Sequence, residues 1–227
     1  MPIMNMNTLS PLTSIQEKLA VLAKQASSKP ARLIAVSKTR NAAEIEALIK
    51  HGQRDFGENR VQEAQGKWPE LLAQYPDIRV RLIGPLQTNK VKYLPNLFHA
   101  VDSVDRLSLA EALAHQAERS GYRPNVLVQV NTGEEPQKAG IPPHELEPFL
   151  KDCARLELDV QGLMCIPPQS EVAAIHFAFL KKLCNDYGLP ECSMGMSGDY
   201  TTAAKLGATM VRVGTAVFGA RVYETQE

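Results

Sequence analysis

The chain reads as a single-domain α/β protein: a closed (β/α)8 barrel of the TIM type with one extra helix at its N-terminal end. Three observations predict this. Eight short strand candidates alternate with helical patterns over about 200 residues, a density that suits a closed barrel. The strand candidates are near-continuous apolar runs, as expected of a parallel sheet covered on both faces. Glycine and polar residues gather directly after those runs, on the face where a barrel builds its site. An open doubly wound sheet stays in play, because the second and seventh strand candidates are very short.

The extra helix spans about residues 11–26. Ser10 suits its cap, Pro11 fits its first turn, and Leu12, Ile15, Leu19 and Leu22 fall at helical spacing. Lys29-Pro30 ends it. The first strand covers residues 32–37, and Asn41-Ala-Ala-Glu44 then forms a capping box for a helix carrying Ile45, Leu48 and Ile49. Further strands are expected at 55–56, 79–83, 97–101, 126–130, 157–162, 191–193 and 209–213. Helical patterns fill 59–73, 89–94, 104–119, 143–152, 171–187 and 199–206. Ile141-Pro-Pro-His144 and Ile166-Pro-Pro-Gln169 are too short to be linkers and lie after strands, so residues 1–227 read as one domain.

Bulk composition removes several functions. A hydrophobic fraction of 44% is that of an ordinary folded protein. Lys plus Arg numbers 25 and Asp plus Glu 25, which leaves no net positive field to gather nucleic acid. No apolar run approaches the roughly 18 residues of a membrane span. The first residues lack the basic and apolar regions of a secretion signal, which points to the cytoplasm. Cys153, Cys165, Cys184 and Cys192 form no CxxC pair and no metal-ligand spacing with the five histidines, so they read as small buried hydrophobes.

The positions after the strands supply the candidate chemistry. Lys38 follows the first strand; a partly desolvated amine there can attack an aldehyde, although a solvated lysine fits the same pattern. Ser197-Gly198 after the seventh strand and Gly214-Thr215 after the eighth offer free N–H groups, hydroxyls and close backbone approach for a phosphate, or else simply cap and turn. Arg212 lies between Val211 and Val213, pointing opposite to both, toward either a structural ion pair or the interior of the barrel. Asn59 suits helix capping or a cofactor ring. Met194 suits the apolar side of a pocket or the core, and Asp102-Ser103 looks like surface helix capping. A strand-end lysine with two phosphate cradles fits a phosphorylated aldehyde held as a Schiff base, and pyridoxal 5'-phosphate is the candidate.

Taken together, several segments resemble the pyridoxal phosphate homeostasis protein family. They are Val36-Ser-Lys38, Phe56-Gly-Glu-Asn59, Ile83-Gly-Pro-Leu-Gln-Thr-Asn-Lys90, Val130-Asn-Thr-Gly133 with Lys138 and Gly140, Gly162-Leu-Met164, Ser193-Met-Gly-Met-Ser197-Gly-Asp199, and Val211-Arg-Val-Gly-Thr215 through Phe218-Gly219. The resemblance runs from about residue 30 to 219. It implies the fold of the N-terminal barrel domain of alanine racemase and ornithine decarboxylase, and an aldimine of pyridoxal phosphate on Lys38. It further implies that Ser197, Gly214 and Thr215 hold the phosphate and that Arg212 faces the pyridine nitrogen. One departure is visible: many members carry an aromatic-histidine pair where this chain has Val80-Arg81.

The resemblance implies a protein that holds the cofactor and acts in vitamin B6 and amino-acid homeostasis without catalytic turnover. Amino acids or pyridoxal-phosphate-dependent apoenzymes are its expected partners. A monomer is expected, with a dimer left open. The rival reading is an amino-acid racemase or weak lyase, in which Lys38 moves a proton. A two-base racemase draws its second acid/base from an added C-terminal domain. The chain ends at Glu227, soon after the barrel is complete, so that domain is expected to be absent.

Overall fold

Eight parallel strands close on themselves in chain order. They are β1 (Arg32–Val36), β2 (Asp55–Glu58), β3 (Arg79–Leu82), β4 (Ala100–Val104), β5 (Asn125–Gln129), β6 (Val160–Met164), β7 (Glu191–Ser193) and β8 (Met210–Val213). This arrangement comes from a computed structural model that describes residues 9–219; the two ends of the predicted domain lie outside it. The ring is sealed by β1 and β8, with Arg32, Leu33, Ile34 and Ala35 opposite Met210, Val211, Arg212 and Val213.

The alternation along each strand sorts the barrel into inside and outside. Leu33, Ala35, Val211 and Val213 belong to the main core between barrel and helices, whereas Ile34, Leu127, Met164 and Met210 form a separate small cluster. These four come from β1, β5, β6 and β8, so they fill the lumen. Arg212 stands two residues beyond Met210 on the same strand. It therefore points inward, above this apolar plug.

Around the barrel lie α1 (Leu9–Gln25), α2 (Ala42–Lys50), α3 (Val61–Gln65), α4 (Trp68–Gln74), α5 (Leu107–Ser120), α6 (Leu146–Arg155), α7 (Ala173–Asp186), α8 (Tyr200–Lys205) and α9 (Thr215–Phe218). A 3-10 helix covers Thr88–Tyr93. Helix α2 carries the expected capping box, with the Glu44 N–H donating to Asn41 Oδ1 and the Asn41 N–H to Glu44 Oε2, both at 2.9 Å. Helix α1 buries Leu12, Ile15 and Leu19 and packs on α8 and α9, outside the β8–β1 seam. It begins at Leu9, so Ser10 lies within it rather than capping it.

Three boundaries differ from the sequence reading. The helix predicted over 59–73 is two helices broken at Gly66-Lys67, where Gly66 closes α3 and Pro69 stands in the first turn of α4. The fourth strand is shifted from 97–101 to Ala100–Val104. Phe98 is buried, but in the turn before the strand, and the strand itself contains Asp102 and Ser103. Those two are thus buried barrel residues and not surface caps. The sixth strand moves from 157–162 to Val160–Met164, since Glu157, at φ +53°, still belongs to the turn that leaves α6. Met164 accordingly lies in the strand rather than after it.

Candidate functional site

Lys38 emerges two residues past the end of β1. Its side chain is half-buried and makes no hydrogen bond or ion pair among the described residues. The backbone beneath it is fixed. The Ser37 N–H donates to Gly57 O at 3.0 Å, the Ser37 hydroxyl to Glu58 Oε1 at 2.6 Å, and Thr39 takes a left-handed φ of +62°. The backbone on either side of Lys38 is thus held while its amine has no partner among the described residues. Lys67 close by is the opposite case: it is buried and fully engaged by acceptors.

The loops after β7 and β8 adjoin Lys38 through strand register. Gly214 follows Val213 on the strand beside β1, and a Cβ placed on Gly214 would sit 3.3 Å from Val36 Cβ and Val36 O. The Arg212 N–H donates to Gly195 O at 2.9 Å, which sets Ser197 just beyond on the neighbouring loop. The N–H groups of Ser197, Gly198, Gly214 and Thr215 have no acceptor among the described residues, nor do the Ser197 and Thr215 hydroxyls. Unspent donors at one rim suit a multiply charged anion. A Cβ on Gly198 would meet nothing within 4 Å, so its neighbourhood is open. Ser197-Gly198 forms the turn that leads into α8 rather than its first residues, since the Met196 N–H is taken by Asp199 Oδ1 at 2.5 Å and α8 begins at Tyr200.

Arg212 is 4% exposed and forms no ion pair among the described residues. Its Nη1 donates to Ser193 Oγ at 2.7 Å and its Nη2 to Cys165 O at 2.8 Å, so the guanidinium reaches across the lumen from β8 toward β7 and β6. Burial holds its pKa below the ordinary guanidinium value, partly offset by Cys165, Asp102 and Asp199. A buried cation with only neutral partners leaves positive charge near the mouth.

The remaining expected residues divide. Asn59 is half-buried and lines a groove of about 420 Å³ between the loops after β2 and β3, with Gln62, Leu86, Gln87 and Lys90. A Cβ on Gly84 would collide with the Asn59 carbonyl at 2.4 Å, so glycine is required there. Met194 is corrected. It is fully buried in the main core, its sulfur accepting from Cys192 Sγ at 3.6 Å, and it presents no surface to a ligand.

Sequence reasoning missed three polar constellations. Glu58 is wholly buried in β2, where Oε1 accepts from Ser37 Oγ and from Trp68 Nε1 at 3.0 Å and is ion-paired with Lys67 Nζ at 2.9 Å. Burial pushes its carboxyl up, while Lys67, Ser37 and Trp68 draw it back. Arg81 and Asp102 form a buried ion pair in the lumen. His176, one of the histidines read as scattered, stands between Thr132 Oγ1 and Glu171 Oε2, each 3.1 Å from a ring nitrogen. The signal for Glu58–Lys67 was the helix-breaking Gly66-Lys67; the other two pairings join distant strands and loops.

Residues 11–222 match the family model for the N-terminal domain of alanine racemase. The chain is 43% identical over 221 residues to the pyridoxal phosphate homeostasis protein of Pseudomonas aeruginosa, covering 93% of this chain and 95% of that one. Among solved structures, PipY of Synechococcus elongatus superposes with a TM-score of 0.83 without pyridoxal phosphate, at 36% identity over 93% of this chain and all of that one. Its structure with pyridoxal phosphate bound gives 0.78 at 39% identity, over 90% of this chain and 100% of that one. Alanine racemase of Clostridium difficile shares the fold at a TM-score of 0.73 and 16% identity, over 96% of this chain and 58% of that one. Fold and rim together define a barrel of the alanine racemase N-terminal class. Within that class the chain belongs to the pyridoxal phosphate homeostasis protein family.

Proposed function

We propose that this protein binds pyridoxal 5'-phosphate reversibly through Lys38 and serves the cytoplasmic supply of that cofactor, and with it amino-acid homeostasis, rather than steady turnover of a substrate. The observation that carries the reading is the unpartnered, half-buried Lys38 on a strand adjoining a rim of unspent donors at Ser197, Gly198, Gly214 and Thr215. PipY, a solved relative, holds pyridoxal phosphate. The residues present fit such a group, since the rim offers N–H and hydroxyl donors for a phosphate and an amine for an aldehyde. When bound, the cofactor supplies an aldehyde carbon and a conjugated ring able to accept electrons.

Each residue has a separate task. Lys38 gives the amine that bonds the aldehyde carbon with release of water, and its loop backbone sets the direction of approach. Ser197, Gly198, Gly214 and Thr215 bind the phosphate. Arg212, fixed by Ser193 and Cys165, presents its N–H donors and positive charge to the ring edge without transferring a proton to it. Asn59 orients the ring from the β2 side. No helix among the described residues is long and apolar enough to cross a membrane.

Borohydride reduction of the protein loaded with pyridoxal phosphate, followed by peptide mapping, tests the reading. The adduct is expected on Lys38, and Lys38→Ala is expected to lose the visible absorption band while keeping its fold. An adduct mainly on another lysine refutes the assignment. Lys38-dependent exchange of an amino acid's α-proton in deuterated water, well above the rate with free cofactor, would favour the racemase or lyase reading.

A further inference from the structure

The segment that carries Lys38 is tied down on both sides of it. The Lys67 side chain is 8% exposed; its Nζ donates its three protons to Ser37 O at 2.7 Å, Arg40 O at 3.3 Å and Glu63 Oε1 at 2.8 Å, and is ion-paired with Glu58 Oε1 at 2.9 Å. The two carbonyls bracket Lys38. The two carboxylates reach the same segment, since Glu58 accepts the Ser37 hydroxyl and Glu63 accepts the Thr39 N–H. From the far side, Arg40 donates to Gly219 O at 2.5 Å and to Glu44 Oε1 at 3.1 Å. Ser37, Thr39 and Arg40 are thus all anchored through their backbone or side chains, and the Lys38 side chain has no partner among the described residues.

Core stability alone explains this poorly. Burying an ammonium and a carboxylate costs free energy that a matched apolar pair avoids, and Glu58 Oε2 is left buried without any donor. What the ammonium does that an apolar side chain cannot is donate to two backbone carbonyls on either side of the reacting residue. We infer that Lys67, seated on Glu58 and Glu63, is a positioning residue for Lys38: it fixes the backbone from which the reactive amine projects. The inference rests on the reading of Lys38 given above.

The step it serves is a condensation. Lys38 Nζ forms a carbon–nitrogen double bond to the aldehyde carbon, and the aldehyde oxygen leaves as water with two protons from the amine. Lys67 exchanges no proton in it. Its contribution is orientation, and a misplacement of about 1 Å in such a step costs on the order of 100-fold.

The test compares two ligands in equilibrium titrations. Pyridoxal 5'-phosphate has the aldehyde, whereas pyridoxine 5'-phosphate has an alcohol in its place and cannot bond to Lys38. The wild type is expected to prefer the aldehyde. Lys67→Met is expected to cut that preference by roughly ten- to 100-fold while affinity for pyridoxine 5'-phosphate stays within about two-fold, and Lys67→Arg to restore part of it. Should Lys67→Met fail to fold, Glu63→Gln, which alters the acceptor shared by Lys67 and Thr39, must lower the preference in the same direction. Retention of the full preference in the folded variants overturns the proposal. So does an equal loss for both ligands, the mark of a merely structural role. A wild type with no preference for the aldehyde refutes the reading of Lys38 itself, and the inference falls with it.

Discussion

Replacing Arg81 by methionine isolates the buried ion pair between β3 and β4. Arg81 is 2% exposed and Asp102 is fully buried. The guanidinium grips the carboxylate through Nε, at 3.0 and 2.8 Å from the two oxygens, and through Nη2 at 2.8 Å. Burial pulls the Arg81 pKa down, and Asp102 more than restores it. Arg81→Met therefore leaves a carboxylate stranded in the lumen, at a cost of about 3–5 kcal/mol. For a chain of this size each kcal/mol corresponds to about 2 °C, so a fall of roughly 6–10 °C in Tm is expected by calorimetry. Arg212 lies close enough to feel the Asp102 charge and can partly re-pair with it, which favours the lower end of that range. Removing both charges with Arg81→Met and Asp102→Leu should recover most of the loss, because the desolvation cost disappears with the pair. A single variant within about 1 kcal/mol of wild type, or a double variant no better than the single, would refute the argument.

Three further outcomes are expected. Ser197→Ala and Thr215→Val should each weaken pyridoxal 5'-phosphate binding by roughly ten-fold or more in titration, with pyridoxal lacking the phosphate little affected. Burial pushes the Cys165 thiol up to about 12, and burial with the neighbouring Asp152 charge does the same for Cys153, so native protein at pH 8 should resist iodoacetamide at both sites until it is unfolded, as read by mass spectrometry. Glu58 has a folded pKa raised above its unfolded value, so the folded state takes up that proton first as pH falls. Its contribution is full below the unfolded value of 4.5 and is lost as pH rises through the folded one. Glu58→Gln should therefore change the slope of Tm against pH in that acid window and leave it unchanged near pH 8.

Legibility in the sequence followed the physics of each element. The β1 strand and its capping box could be read because Leu33-Ile-Ala-Val36 is continuous and Asn41 and Glu44 are local partners. Lys38 and the glycines of the last two loops were legible for the same reason, since their positions follow directly from strand ends. The fourth strand was misplaced because its interior is polar: Asp102 is tolerated there only by virtue of Arg81 on the neighbouring strand, a pairing that no local window contains. Met194 stayed open between pocket wall and core, which a methionine beside glycines fits equally well, and the alternation against Cys192 and Ser193 places it in the core.

The charges inside the barrel bear on holding against turnover. Arg81 is ion-paired with Asp102, and Lys67 with Glu58 and Glu63. Arg212 is bonded only to a hydroxyl and a carbonyl. On the proposed reading that unbalanced charge meets the ring of the cofactor, and the donors at Ser197, Gly198, Gly214 and Thr215 meet its phosphate. A guanidinium cannot pass a proton to the ring nitrogen, so it leaves the ring a weaker acceptor of electrons than a protonated pyridine would be. The same cation and donors still favour binding of an anionic, electron-rich molecule. On the proposed reading, affinity for the cofactor is raised by the same groups that hold its ring and its phosphate in place.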